Sequence, residues 1–393
     1  MKKLVLMLLM TLMASTPSWA DKKLTVKQLG DMLNEMQQQK KTDAEVANEL
    51  KQVELTEQLD RVAMNNLAGA VPGQLSTEQI YVLEAKSAML PPPTTDIPSK
   101  PAPDAAAQTA ILNKVFDYAS KTYSTLPNLT AKRTTLRFQD DLQALSGGSG
   151  MHGSAKDVSV SPSTGADNSY VRYINSTETP VQLQAGAEKP SSEKDTTQWG
   201  ANGMIALQEP APSLGKVIAE AQATGNITFT RWQTLDGKTL AVFSYEADKK
   251  KTHMAVNICC FPQVSQAGMV QFTSASTAGL SGGSGGAKGN FQTNTQWEIF
   301  KKTYPFHGEF FVDPDTGTVL RLITMVDFKN SDYVHQLDER IDYLPMQVGD
   351  KILVLPAQSV IQTEVDPQGD SGAGGHSSRH TFFTAQYKDY AAQ

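Results

Sequence analysis

One serine of this chain stands in a pattern that could supply a nucleophile. Ser371 lies in Gly369-Asp-Ser-Gly372, the order found around the reactive serine of one class of serine proteases, where the hydroxyl needs a histidine base and a buried aspartate. In that class the base lies in an Ala-Ala-His-Cys-like segment, and no histidine of this sequence has those neighbours. Ser371 also falls in DPQGDSGAGGHSS, a loop-like stretch. A serine hydrolase using Ser371 is therefore the less favoured alternative.

A second serine pattern, Gly282-Gly-Ser-Gly-Gly286, formally fits the G-x-S-x-G nucleophile elbow. The elbow requires a strand before the serine and a helix after it. Both flanks here are rich in Gly and Ser, so chance within a Gly/Ser tract explains the match.

Two further patterns could hold a metal ion. His376 and His380 are four residues apart, but that spacing brings side chains together on a helix, and this segment reads as a loop followed by a strand. Asp313 and Asp315 resemble the first part of a calcium loop, yet Thr324 stands where the bidentate Glu at position twelve is required. We predict no metal site.

The segment around Asp313 is better explained as a turn. Pro314 presets its own φ, aspartate side chains accept hydrogen bonds from turn amides, and Gly317 allows a positive φ. No phosphate-binding loop or dinucleotide fingerprint occurs, so no cofactor is predicted.

The two cysteines of the chain, Cys259 and Cys260, are adjacent. Neighbouring Cα atoms lie about 3.8 Å apart, which is below the usual disulfide range, so a bond between them would be strained and reducible. We predict two small buried side chains in the strand HMAVNICCF. A disulfide between them is the less favoured alternative.

The first twenty residues have the features of a secretory signal peptide. Lys2 and Lys3 precede an apolar run from Leu4 to about Met13, and small residues lie at Ser18 and Ala20. The apolar run is shorter than the roughly 20 residues that a membrane span needs. We predict cleavage after Ala20 and an exported protein, periplasmic or extracellular, with no integral membrane segment.

Charge and length limit the partners and the number of domains. Removing Lys2 and Lys3 changes the formal net charge from −6 to −8, which disfavours a nucleic-acid partner. About 370 residues exceed the usual size of one domain.

Residues 21–90 are predicted to form a small helical module. Capping boxes begin helices at Thr42-Asp-Ala-Glu45 and Ser76-Thr-Glu-Gln79, a third helix opens at Leu55-Thr-Glu-Gln-Leu59, and the first runs from Leu24 to about Gln38. The apolar stripe of this module is expected to pack as a core. The alternative is that the stripe binds a partner helix.

A proline-rich linker at 91–103 should be extended. The remainder, 104–393, is predicted to be an α+β domain with a helix capped by Asp104 and a second helix from Ser213 to Ala223. Mobile Gly/Ser loops are expected near 145–165, 186–203, 274–289 and 366–378.

The strands of this domain are predicted to form a meander of hairpins. The turn residues are Asp236-Gly237, Asp313 to Gly317 and Val348-Gly-Asp350. The expected strands include Ala131–Phe138, two short strands within Tyr170–Leu183, THMAVNICCF, Gln296–Phe300 and RHTFFTAQYKDY. Local connections favour a curved antiparallel sheet packed on helices.

Several of these strands carry large apolar side chains on both faces. They are Phe229, Trp232, Phe243, Tyr245, Phe310, Phe311, Leu320 and Leu322. A sheet that is apolar on both faces must be covered on both. The ordinary solution is a closed core, and the sharper hypothesis is a lipid-like ligand.

The segment HGEFFVDPDTGTVLRL resembles a hairpin of periplasmic proteins in the lipoprotein-carrier and sigma-factor regulatory sensor superfamily. Those proteins wrap a curved antiparallel half-barrel around a helical plug and bind acyl chains or lipoproteins. The resemblance covers about Thr130 to Tyr390 and implies this fold there. More broadly, KTDAEVANELKQVELTEQLDR, PPPTTDIP and LPNLTAKRTTLRF resemble uncharacterised exported bacterial proteins.

The signal peptide and the lack of a supported catalytic constellation lead us to expect a non-enzymatic exported protein. The apolar strands and the resemblance to the carrier superfamily imply that it binds a hydrophobic ligand or an envelope lipoprotein. A structural or protein-interaction module with a closed core is the alternative. The resemblance identifies no ligand-binding residue.

Overall fold

A computed structural model describes residues 22–140, 171–189, 206–207, 214–247, 254–262, 297–330, 332, 334–365 and 379–393. Its contacts divide the chain into two units, Met1–Pro93 and Thr94–Gln393. The domain limits taken from the sequence stay predictions. The predicted signal peptide and three of the four predicted loops lie outside the described residues.

The first unit contains the four expected helices and a two-stranded parallel sheet that the sequence did not indicate. Its elements are β1 (Lys22–Leu24), α1 (Val26–Gln38), α2 (Asp43–Leu50), β2 (Val53–Leu55), α3 (Arg61–Ala70) and α4 (Gln74–Ser87). The apolar faces of the helices meet in one core, which includes Leu29, Leu50 and Ile80. The prediction of a packed stripe is confirmed.

Helix starts in this unit agree with the sequence at one place and differ at three. Helix α1 begins at Val26 with Thr25 as its cap, two residues after the predicted start at Leu24, which belongs to β1. The capping box of Thr42 and Glu45 is confirmed. Helix α3 begins at Arg61 with Asp60 as its cap, so the predicted start at Leu55–Leu59 was wrong. Residues 53–55 instead pair with β1.

Helix α4 also starts before its predicted capping box, because its cap comes from elsewhere in the chain. Gly73 precedes the helix and has no side chain to cap it. Asp43 takes this role: Oδ2 accepts from the Leu75 amide at 3.0 Å, and Oδ1 accepts from the Ser76 amide at 2.9 Å and the Ser76 hydroxyl at 2.6 Å. Ser76 therefore lies inside the helix, and the predicted box at Ser76–Gln79 was wrong.

The second unit is dominated by strands. Its helices are α5 (Ala105–Asp117) and α6 (Leu214–Thr224). Its strands are β3 (Leu129–Gln139), β4 (Arg172–Gln184), β5 (Ala187–Glu188), β6 (Ala206–Leu207), β7 (Ile227–Leu235), β8 (Lys238–Glu246), β9 (Met254–Pro262), β10 (Trp297–Tyr304), β11 (Phe306–Val312), β12 (Val319–Val326), β13 (Val334–Val348), β14 (Lys351–Val365) and β15 (Arg379–Ala392).

Ten of these strands form one open antiparallel sheet in the order β5-β4-β3-β15-β14-β13-β12-β11-β8-β7. The predicted α+β class is confirmed. Strands β9 and β10 were expected within the meander but form a separate sheet, β10-β9-β6, so β11 pairs directly with β8. Hairpin signals are local and do not reveal which strand leaves a meander.

The predicted hairpins are present, and their turn residues explain them. Asp236 and Gly237 both have positive φ, as a two-residue turn between β7 and β8 requires. Gly349, also at positive φ, connects β13 to β14. The segment 170–183 forms the single strand β4 and not two, and β5 occupies the start of the predicted loop 186–203.

The end of the proline-rich segment packs on edge strand β7. Lys100 Nζ lies 3.6 Å from the centre of the Trp232 ring, and Trp232 Nε1 donates a hydrogen bond to the Pro101 carbonyl at 2.8 Å. A cation over an indole face is attractive, so these contacts fix this part of the segment on the sheet.

Asp43→Ala should destabilise the protein in a pH-dependent manner. Hydrogen bonds from Ser76 and Leu75 lower the pKa of the Asp43 carboxyl, so its contribution is present above the unfolded-state pKa and lost as pH falls through the folded-state pKa. At pH 7 we expect a loss of about 1 kcal/mol. Calorimetric unfolding of both proteins from pH 7 to pH 3 should show the difference shrink.

Exposed Asp31, which pairs with Lys27 one helical turn away, provides the control. Asp31→Ala should change the unfolding temperature little at any pH. Equal effects of the two substitutions at pH 7 would contradict the capping role of Asp43.

Candidate ligand-binding site

The acidic hairpin is a turn whose carboxylate is used by its own backbone. Asp313 Oδ1 accepts hydrogen bonds from the amides of Asp315 at 2.9 Å and Thr316 at 3.4 Å. The amide of Gly317 donates to the Asp313 carbonyl at 2.8 Å. The predicted turn is confirmed.

This turn also packs closely on helix α5. Lys114 Nζ donates a hydrogen bond to the Pro314 carbonyl at 3.0 Å. Gly317 has φ +76°, and a Cβ at this position would lie only 2.4 Å from the backbone carbonyl carbon of Lys114. The glycine is therefore required both by its conformation and by the close approach of the helix.

The other candidate residues are mostly beyond the described part of the chain. Ser371, Gly282–Gly286 and His376 lie outside it, as do the side chains of Cys259 and Cys260, whose backbone belongs to β9. His380 is described: its Nδ1 lies 3.2 Å from Asp140 Oδ2 and its Nε2 lies 3.8 Å from Glu364 Oε2.

The predicted apolar cluster divides between the two faces of the ten-stranded sheet. Six of its members belong to one cluster with helices α5 and α6: Phe229, Trp232, Phe243, Tyr245, Phe310 and Leu322. We call the sheet face that carries them the helix-covered face. Phe311 lies on the opposite face, because successive residues of a strand alternate, and Leu320 is half-buried.

Aromatic rings form a continuous row on the helix-covered face. Phe243 stacks on Phe310 at 5.7 Å, and Tyr245 stacks on Phe310 at 6.0 Å. Phe229 and Phe306 extend the row by edge contacts at 5.6 and 6.2 Å. The row gives this face a large apolar area with defined ring geometry.

Helices α5 and α6 cover this row through apolar side chains. Ile111 and Val115 come from α5, and Leu214, Val217 and Ile218 come from α6. After Asp117 the chain continues as a π-helical turn, Tyr118–Thr122, and a 3₁₀ turn, Tyr123–Thr125. Such irregular helical turns occur often at functional sites.

The irregular turns place two tyrosines at the sheet. The Tyr123 hydroxyl donates to the Gly186 carbonyl at 2.9 Å, and its ring meets Tyr343 edge-on at 6.1 Å. Burial raises the pKa of Tyr118 to about 12 and raises that of Tyr123 further. Both phenols are therefore neutral near pH 7 and act as packing groups.

The opposite face carries charge pairs. Arg231 binds Glu309 through two hydrogen bonds of 2.7 and 2.8 Å, and Arg321 binds Asp342 through bonds of 2.5 and 3.1 Å. Phe311 lies between the two guanidinium groups, at 5.6 Å from Arg231 and 5.5 Å from Arg321. Since their partners are oriented and satisfied, these charges have a structural role.

Residues 133–139 of β3 add polar side chains to the helix-covered face. Arg133, Thr135, Arg137 and Gln139 alternate along the strand and are all buried. Arg133 binds Glu188, which also accepts a hydrogen bond from the Tyr387 hydroxyl at 3.0 Å. Arg137 Nη1 donates to Thr177 Oγ1 at 2.8 Å. We call Thr135, Arg137 and Gln139, together with Thr363 and Thr381 on β14 and β15, the polar stripe.

Sequence reasoning missed the polar stripe. The strand pattern of β3 was visible, and Leu136 and Phe138 alternate as an apolar side would. The available signal was the spacing of Arg133, Thr135 and Arg137, which places all three on one face of a strand.

Comparison with protein-family models, with curated proteins and with solved structures gave no match. No helix in the described ranges is both long and apolar enough to cross a membrane. Among the described residues, no group of three or more His, Cys, Asp or Glu side chains is placed to hold a metal ion.

Gly317→Ala should destabilise the protein by at least about 2 kcal/mol. An alanine in the left-handed region is strained by about 1–2 kcal/mol, and here its methyl group would also collide with α5. Gly349→Ala is the matched control, because Gly349 has φ +58° but open space around its Cβ position. Urea unfolding should show a clearly smaller loss for Gly349→Ala; equal losses would contradict the packing role of Gly317.

Asp342→Ala should cost about 3–5 kcal/mol of stability, because it removes a carboxylate beside two guanidinium groups that are each 1% exposed, those of Arg321 and Arg340. Glu309→Ala removes a carboxylate that is about one-quarter exposed and should cost about 1 kcal/mol. Urea unfolding of both variants measures the difference. A loss of stability for Asp342→Ala no larger than that for Glu309→Ala would contradict the importance of the buried charge pair.

Proposed function

We propose that this chain is an exported, non-enzymatic protein that binds the acyl chain of a lipid or of an envelope lipoprotein between helices α5 and α6 and the aromatic row. The observation that carries the proposal is the row itself, Phe229, Phe243, Tyr245, Phe306 and Phe310, which packs in one cluster with helices α5 and α6. The resemblance of the central hairpin to acyl-binding half-barrels agrees with this function.

The way in which the helices are attached supports the proposal. They meet the sheet mainly by apolar contact, and their polar attachments include Lys114 to Pro314, Tyr123 to Gly186, and Thr224 Oγ1 to the Glu246 carbonyl at 3.0 Å. An acyl chain that entered under the helices would replace apolar contacts with apolar contacts. Displacement of a helix would break no strand pairing.

Binding of this kind requires no catalytic group and no cofactor. Affinity would come from removal of apolar surface from water, at about 25 cal/mol for each Å². The paired strands of the sheet would form the fixed side of the binding site. The π-helical turn after α5 would be the segment that rearranges when the helix moves.

One observation favours a second candidate, a protein-interaction module with a closed core. Phe243, Tyr245, Phe306 and Phe310 are at most 2% exposed when the helices are in place. In that case the same residues serve stability alone. The two candidates differ in whether helices α5 and α6 can move apart from the sheet to admit an acyl chain.

Native mass spectrometry of the protein purified from an exported fraction should detect a co-purified lipid. Dodecanoate and dodecyl maltoside below their micellar concentrations should each raise the unfolding temperature, since both carry a twelve-carbon chain. A protein that carries no lipid and is stabilised by neither amphiphile would refute acyl binding and favour the closed core.

Phe310 and Phe311 are adjacent in β11 and lie on opposite faces of the sheet, so substituting each of them tests which face binds the acyl chain. Phe310→Leu and Phe311→Leu should each lower stability by about 1–2 kcal/mol, because both side chains are buried. Only Phe310→Leu should weaken binding of dodecyl maltoside, by several-fold. Equal weakening by the two variants would place the chain elsewhere.

A further inference from the structure

Three buried threonine hydroxyls of the polar stripe are without a hydrogen-bond partner in the described part of the chain. They belong to Thr135, Thr363 and Thr381, which are 0–1% exposed. A buried hydroxyl without a partner is unfavourable, and native proteins contain few of them. Three on one sheet face therefore require an explanation.

The strand register places these hydroxyls on the helix-covered face. Thr135 is opposite Ala385, which is opposite Ser359, and the same row continues through Ile341 and Leu322 to Phe310. Directly paired residues of antiparallel strands lie on the same side of the sheet. Thr135 therefore lies in the same row of the sheet as the aromatic side chain of Phe310.

The other two hydroxyls lie side by side at the far end of the stripe. Thr363 is paired with Thr381, and Thr381 is paired with Gln139. Gln139 is two residues from Arg137 along β3, a separation of about 7 Å. Neighbouring strands are about 4.8 Å apart, so these four residues lie within about 12 Å of one another across three strands.

The chemistry of these groups favours an anion. Arginine carries donors only, and a threonine hydroxyl can turn its donor towards an acceptor. Arg137 has five N–H groups, of which one donates to Thr177 Oγ1 at 2.8 Å. The nearby carboxylate of Glu188 is already bound by Arg133 and Tyr387. The carboxylate of Asp140, next to Gln139 in the chain, accepts a hydrogen bond from the His380 amide at 2.8 Å.

We propose that Arg137, Gln139, Thr363 and Thr381 bind the anionic headgroup of an amphiphile whose acyl chain lies along the aromatic row. This inference rests on the proposed function and names its ligand class: a single-chain amphiphile with a phosphate or carboxylate head. The headgroup supplies the acceptors that the threonine hydroxyls lack. Its charge is opposite to that of Arg137.

The test compares dodecyl phosphate with dodecyl maltoside, which have the same chain and differ in headgroup charge. The wild-type protein should bind dodecyl phosphate about tenfold more tightly. The double substitution Thr363→Val and Thr381→Val keeps the side-chain shapes and should remove this preference. It should also maintain or raise the unfolding temperature of the ligand-free protein, because it deletes two unpartnered buried hydroxyls.

Thr384→Val is the matched control. Thr384 lies on the same strand as Thr381, is buried and also has an unpartnered hydroxyl, but it faces the other side of the sheet. It should stabilise the protein without changing the headgroup preference. If the double variant does not fold, the single variants Thr363→Val and Thr381→Val are used to measure the headgroup preference.

The outcomes separate this inference from acyl binding itself. Binding of both amphiphiles with equal affinity, or a preference that survives Thr363→Val and Thr381→Val, would overturn the headgroup site and leave acyl binding standing. If the protein binds neither dodecyl phosphate nor dodecyl maltoside, both the headgroup site and acyl binding are overturned. Inorganic phosphate that binds as tightly as dodecyl phosphate would show a site for free anions, and would overturn the amphiphile as its ligand.

Discussion

The register between β12 and β13 is the constraint on which the rest of this fold depends. Arg321 is opposite Asp342, and the next pair along is Leu322 opposite Ile341. All four side chains are buried, the charged pair on one face and the apolar pair on the other. A slip of one residue would exchange the faces and put two charged groups under the helices. Because an unpaired buried charge is very unfavourable, this pair holds β12 and β13 to one register.

Once this register is set, the helix-covered face has two chemical regions. Strands β7, β8, β11 and β12 contribute aromatic rings that pack under α5 and α6. At the other side of the same face, β3, β14 and β15 contribute threonine hydroxyls, Gln139 and Arg137. An apolar row followed by a polar stripe is the pattern that an amphiphile would match. The separate sheet packs on this end of the same face, because its Val256 and Tyr304 meet Ile361 and Phe383, which share the row of Arg137.

Features that depend on a few neighbouring residues could be predicted from the sequence. Asp236-Gly237 allows the positive φ angles of a tight hairpin, and Thr42 and Asp104 cap the helices that follow them. Features that depend on distant residues could not be predicted in this way. Helix α4 starts early because Asp43 caps it from about thirty residues upstream, and β9 leaves the meander because β10, far along the chain, pairs with it.

The sequence by itself determined the α+β class, the hairpins and the set of apolar strand residues, because turn chemistry and alternation are local properties. Only the tertiary structure decided that Phe310 faces the helices while Phe311 lies between two arginines. It alone also brought Thr363, Thr381 and Gln139 together, since residues more than 200 positions apart become neighbours through strand pairing. Alternation shows that a strand has two faces, but the covering elements decide the chemistry that each face needs.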